Sequence, residues 1–192
     1  MAVKMKLDRD YLSKFTSKVL KKEVNKINKD GSFVYELEAD VTIPAEYILM
    51  MHFIGKIDIK LQEKIVAYIL RTQNSEGGWS LFFEGETDIS ATVKAYYALK
   101  LSGFNPKSNV MVKAKNLILK LGGAENVNVF TKITLALFGQ ISWNCIPVMP
   151  IEIMKLPKWF PFHLNKISYW SRTVLVPLLI ILHEKPIANN PS

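Results

Sequence analysis

Residues 60–103 read KLQEKIVAYILRTQNSEGGWSLFFEGETDISATVKAYYALKLSG, two helical stretches around a glycine-rich turn that ends in tryptophan. In the first, Lys60 to Arg71, the residues Leu61, Ile65 and Ile69 share one side while Lys64 and Arg71 turn away, the period of an amphipathic helix. In the second, Thr87 or Asp88 stands where a helix cap is wanted. Ile89, Val93, Tyr96, Tyr97 and Leu99 follow at helical spacing, and Ser102-Gly103 closes the run. Between them lies Gln73-Asn74-Ser75-Glu76-Gly77-Gly78-Trp79. A glutamine near a helix C-terminus, a glycine turn and an aromatic ring able to stack back on the amide can satisfy helix-end backbone groups while burying an indole. That turn ties one helix hairpin to the next.

The same grammar extends in both directions. Upstream, Tyr11, Phe15, Val19 and Leu20 form a helical stripe among lysines, and Asn28-Lys29-Asp30-Gly31 makes a turn. After the half-alternating FVYELEADVT, Pro44 suits a helix start at N1, and that helix runs to Ile54 and stops at Gly55. Downstream, Val110, Ala114, Leu117, Ile118 and Leu121 precede Gly122-Gly123, and Val129 to Phe138 is closed by Gly139. Pro147, Pro150, Pro157 and Pro161 then break the chain into short pieces before an apolar helix, Ile167 to Leu182. With no run of consecutive strands, the chain is read as all-α. Its helix hairpins point to an α-solenoid or an α/α barrel that is incomplete in this chain. No linker separates the last quarter, so residues 1–192 are read as a single domain.

Composition narrows the function. The 192 residues carry 25 Lys plus Arg against 17 Asp plus Glu, with 49% apolar residues, the balance of a folded chain with a basic surface. A lone cysteine, Cys145, cannot form an internal disulfide, and with His52, His163 and His183 scattered it offers no zinc site, so the expected compartment is reducing and cytoplasmic. The N-terminus lacks the apolar stretch of a signal peptide, and the longest apolar run, Val174 to Leu182, is about half of the roughly 20 residues a membrane span needs. P-loop, GxGxxG, HExxH and GxSxG motifs are all absent from the sequence, so no catalytic residue is assigned. The acid clusters Glu36, Glu38, Asp40 and Glu84, Glu86, Asp88 read as solvated surface, with Asp88 also a candidate cap, and His52 reads as a hydrogen-bonded core histidine. The lysines of residues 4–29 lie on an amphipathic helix rather than beside base-stacking aromatics, which argues against nucleic acid as a partner.

Gln73, Gly77 and Trp79 have the spacing Q-x3-G-x-W, which resembles the QW repeat of squalene-hopene cyclases and oxidosqualene cyclases. DGSFVYELEADVTIPAEYILMMHF from Asp30 and the stretch from Asn128 to Leu182 resemble the N-terminal portion of bacterial squalene-hopene cyclases almost without gaps. An earlier QW-like element departs from the pattern, with Asn28 in place of Gln and Phe33 in place of Trp. The resemblance implies an α/α barrel around an aromatic-lined cavity. There an Asp-x-Asp-Asp acid protonates squalene and ring faces stabilise the successive carbocations on the way to hopene or hopanol, a step of hopanoid (triterpenoid) biosynthesis. It implies no metal and no organic cofactor. These 192 residues contain no Asp-x-Asp-Asp, so the expectation is an N-terminal fragment whose isolated chain is inactive, acting on squalene with a missing C-terminal part. The competing expectation is a noncatalytic helical scaffold, either a gene relic or a subunit complemented by a separate C-terminal cyclase half. A protein prenyltransferase β-subunit shares the barrel but needs zinc ligands that are not found here.

The resemblance also implies roles for single residues. Trp170 matches a cavity tryptophan along the bound polyene, and Ile167 and Leu175 match positions lining the substrate channel, whereas Trp143 reads as packing. The piece KLPKWFPFHL has a physical reading of its own: Lys155 and Lys158 flank Trp159, Phe160 and Phe162, a pattern suited to a membrane interface with anionic lipid. The family implies the same, a peripheral, monotopic protein on the cytoplasmic side that takes its insoluble substrate from the bilayer.

Overall fold

A computed structural model describes residues 9–34 and 40–188. The chain divides into two compact units, Met1–Glu38 and Ala39–Ser192. Residues 35–39, which include Glu36, Glu38 and the centre of the half-alternating stretch, lie outside the described residues.

In the first unit, helix α1 (Arg9–Val24) buries no residue. A turn follows, in which the Gly31 amide donates to the Asn28 carbonyl at 2.9 Å and Ile27 bridges Phe33. The Asp30 carboxylate accepts from the Ser32 amide at 3.0 Å and its hydroxyl at 2.7 Å. These bonds, the backbone one foremost, hold its pKa below the ordinary aspartate value because they favour the charged form.

The second unit is built from α2 (Thr42–Ile54), α3 (Ile59–Arg71), α4 (Ile89–Leu101), α5 (Asn109–Lys120), α6 (Val129–Leu137) and α7 (Tyr169–Glu184), with short 3-10 turns in the proline-punctuated stretch. Among the described residues no strand forms, only the isolated bridges Ile27 to Phe33 and Ser80 to Thr87. The all-α expectation therefore holds.

Local chemistry sets the helix starts. The side chains of Asp58, Asp88, Asn128 and Ser168 accept from backbone amides at the first turns of α3, α4, α6 and α7, at 2.7 to 3.2 Å. Ser108 does the same for α5 at 3.4 Å. Each such bond satisfies one of the four orphan donors of a helix N-terminus. Two expected boundaries shift for this reason: Ser168 caps α7, so Ile167 precedes the helix, and Asp58 moves the start of α3 to Ile59. Helix α2 opens two residues before Pro44, with Asp40 accepting from the Thr42 amide at 2.8 Å. Pro44 thus occupies the third position rather than the first, where its missing N–H is still no loss.

Helix α4 is central: it packs against α2, α5 and α6, and α2 packs against α3 as well. Nine of its residues are buried, and they include Thr92 and Lys94 as well as the apolar face. Ala91, Ala95 and Ala98, all fully buried, recur at i, i+4 and i+7 on one face of the helix and allow close approach there. Ile48, Ile69, Leu99, Met111 and Trp79 fill the main core around it. A second cluster, Ile133, Ala136, Ile146 and Leu182, fixes only the C-terminal half of α7 and packs against Trp143.

Candidate functional site

The turn that follows α3 is held by bonds in several directions. The Gln73 amide donates to the Gly77 carbonyl at 2.8 Å and to the Val110 carbonyl, at the start of α5, at 3.1 Å. The indole of Trp79, 1% exposed, donates to the Ile69 carbonyl in the last turn of α3 at 2.8 Å. The Trp79 amide donates to the Thr92 hydroxyl at 3.1 Å, and the Asp88 amide donates to the Trp79 carbonyl at 2.9 Å. One turn is thereby bonded to α3, α4 and α5. Glycine is required at Gly77 twice over, because its φ is 94° and an added Cβ would lie 2.6 Å from the Cβ of Lys113. A Cβ at Gly78 would meet Thr87 at 2.4 Å.

The aromatic residues of the last quarter lie at the surface. Trp159 is 76% exposed and Phe162 74%, with Lys155 and Lys158 exposed beside them and Phe160 half-buried. Their rings form a chain, 5.9 Å between the centroids of Trp159 and Phe160 and 6.1 Å between those of Phe160 and Phe162. Trp170 stands 78% exposed in the first turn of α7, edge-on to Tyr169 at 5.7 Å. Ile167 and Leu175 are half-buried on either side of it in sequence. Trp143 is half-buried, and its indole nitrogen and the Nε of Arg172 are buried with no hydrogen-bond partner among the described residues.

The structure adds a feature that sequence reasoning missed, a groove between α2 and α6. Met50 and Phe53 line one side and Phe130, Thr134 and Leu137 the other, and Phe138 lies edge-on to both Phe53 and Tyr97. Glu46 stands on its wall, and its carboxylate accepts from the ammonium of Lys94 at 2.6 Å. The Lys94 side chain is 7% exposed and that of Glu46 46%. A lysine that is buried and paired with a carboxylate 48 positions away leaves no periodic signature in the sequence. His52, half-buried, hydrogen-bonds Gln62 at 2.8 Å, which joins α2 to α3. Of the acidic clusters, Asp40 and Asp88 serve helix starts, and Glu84 and Glu86 are exposed.

Comparison with known proteins places these elements. The description of the squalene-hopene cyclase N-terminal domain matches residues 17–192. A squalene-hopene cyclase of Zymomonas mobilis is 52% identical over 180 residues, covering 93% of this chain and 27% of that protein. One from Schizosaccharomyces japonicus is 52% identical over 163 residues, 84% of this chain and 25% of its own length. One from Alicyclobacillus acidocaldarius is 37% identical over 163 residues, 85% of this chain and 26% of its own. The chain thus spans about a quarter of the length of these relatives.

Proposed function

The chain belongs to the squalene-hopene cyclase family, as its N-terminal domain, and on that premise we propose that it forms part of the wall of an α/α barrel that folds and cyclises squalene. It acts together with a polypeptide bearing the Asp-x-Asp-Asp acid, which its own 192 residues lack. The reaction needs no oxidant. A carboxylic acid protonates a terminal alkene, ring closures relay the positive charge, and loss of a proton gives hopene or addition of water gives hopanol.

The observation that carries this reading is the apolar face at the start of α7. Tyr169, Trp170 and Val174 are more than half exposed, although the other end of the same helix packs into a core. A face of this kind is suited to lining a cavity completed by further chain. Trp170 would offer an indole face to a developing cation, an attraction of about 2 kcal/mol or more in a dry site. Ile167 and Leu175 would line the channel that leads there. Lys155, Lys158, Trp159, Phe160 and Phe162 would seat the protein on the cytoplasmic face of a membrane, the source of so insoluble a substrate. No described helix is long and apolar enough to cross a membrane.

The test is complementation. The purified chain with squalene micelles is expected to yield no hopene, and the chain mixed with the C-terminal three quarters of the Zymomonas mobilis relative is expected to yield it. Hopene from the chain alone, or a stable complex of the two parts that makes none while the intact relative does, overturns the reading.

A further inference from the structure

The loop between Trp79 and Asp88 holds apolar side chains away from its own unit. Its base is closed: Ser80 bridges Thr87, whose hydroxyl accepts from the Asn74 amide group at 2.8 Å and donates to the Glu76 carboxylate at 2.7 Å. At the tip, the Phe82 carbonyl accepts from the Gly85 amide at 3.0 Å and from the Ser80 hydroxyl at 2.9 Å. Glu84 takes a left-handed φ of 56°, which a side chain other than glycine adopts at a cost. The Phe82 ring lies so close over Gly85 that a Cβ added there would stand 2.8 Å from it. Yet Leu81, Phe82 and Phe83 all remain exposed, Phe83 to 89%. A tip ordered in this way loses little freedom when a partner covers it.

Charge narrows the partner. Between Gln73 and Val93 stand Glu76, Glu84, Glu86 and Asp88, and all 25 Lys and Arg of the chain lie outside that stretch. Glu84 and Glu86, both exposed, flank the apolar tip on its C-terminal side. An anionic lipid surface would repel these carboxylates. Two copies meeting tip to tip would bring the same carboxylates together, a like-charge contact that disfavours pairing. The chain spans about a quarter of the length of its relatives, so most of the surface of a complete family member comes from other polypeptide.

We propose that Leu81, Phe82 and Phe83 are an anchor that enters an apolar recess, rimmed by Lys or Arg, on the polypeptide that supplies the other three quarters of the cyclase. The proposal rests on the reading that such a polypeptide completes the enzyme. Calorimetric titration of the full chain with the C-terminal three quarters of the Zymomonas mobilis relative, at two salt concentrations, tests it. The parent chain is expected to bind, and more weakly at high salt. Phe83→Ser should weaken binding at least about tenfold, the loss that a buried aromatic anchor gives, whereas Phe83→Leu, which stays apolar, should weaken it less. Glu84→Asn with Glu86→Gln should weaken binding at low salt and flatten its salt dependence, and asparagine tolerates the left-handed φ. Hydroxyl-radical labelling of Phe83 should fall when the complex forms. Parent-like affinity of Phe83→Ser, unchanged labelling, or an undiminished low-salt affinity of the acid variant overturns the proposal, and hopene from the same mixture leaves the cyclase reading standing. Absence of both complex and hopene overturns the two together. If Phe83→Ser instead abolishes self-association in sedimentation, or flotation with phosphatidylglycerol vesicles, the anchor serves a second copy or a lipid surface and the proposal fails. Because Phe83 is so exposed, its variants should melt at the temperature of the parent chain, which separates lost contact from lost fold.

Discussion

Glu46 and Lys94 form an unequal pair, so removing one partner should not cost what removing the other does. The Lys94 ammonium is almost wholly out of water, whereas nearly half of the Glu46 side chain remains in it. Glu46→Ala strands a buried cation, and breaking a buried pair in this way costs about 3 to 5 kcal/mol. Because Glu46 sits at an open groove wall, water can reach part of the vacated site, which places the expected loss near about 3 kcal/mol. Lys94→Met leaves a carboxylate that solvent already reaches and fills the buried position with a flexible apolar stem, so its expected cost is about 1 kcal/mol or less. Combining the two should recover most of the Glu46→Ala loss, giving a coupling of about 2 kcal/mol, within the range for residues in contact. Urea unfolding followed by far-ultraviolet circular dichroism gives all four values, provided the slope with urea stays constant across the set. If Lys94→Met destabilises as much as Glu46→Ala, or if the double variant is simply additive, the pair does not work through desolvation of the lysine and the reasoning fails.

Trp79→Phe should lower stability by about 1 kcal/mol beyond the effect of lost area, because the Ile69 carbonyl keeps a second donor in the Thr72 hydroxyl at 3.1 Å; Trp79→Ala, which leaves a cavity, should cost about 3 to 5 kcal/mol, and thermal melts compare the two. Trp170→Ala should change the stability of the chain by less than about 0.5 kcal/mol, since the side chain is largely exposed, yet in the complemented cyclase it should release partly cyclised products, read by gas chromatography; unchanged product with a lowered melting temperature would reverse that assignment. For Asp30 the folded pKa lies below the unfolded one, so its contribution to the 28–33 turn is complete above the ordinary aspartate pKa and disappears as pH falls through the lowered value. The Ser32 amide shift should report that titration by nuclear magnetic resonance, and a midpoint at or above the ordinary aspartate value would count against the hydrogen bonds described.

What the sequence alone determined here is what neighbours within a few positions decide. The all-α class, the cap at Asp88, the stop at Gly55 and the turn from Gln73 to Trp79 depend on local backbone groups and on the 3.6-residue period, both legible in a single string. The motif spacing that resembles the cyclases is likewise a local pattern, and so is the identity of the glycine at Gly77. Even locally the helix starts fall a residue or two from the expected ones where a polar side chain caps the first turn, at Asp58 and Ser168. Which faces those helices use was decided only by tertiary structure. Helix α4 is periodic enough to look amphipathic, yet it is enclosed by α2, α5 and α6, so Lys94, read alone, belongs to a solvated side and instead sits buried against Glu46. Gln73 reaches Val110 across 37 positions for the same reason. Trp170, apolar and on an apolar helix, would by hydrophobicity alone be buried, yet it stands exposed because only the C-terminal half of α7 meets a packed cluster. Burial is a property of the whole packed arrangement, and a residue's own chemistry fixes only what it costs to be inside or out.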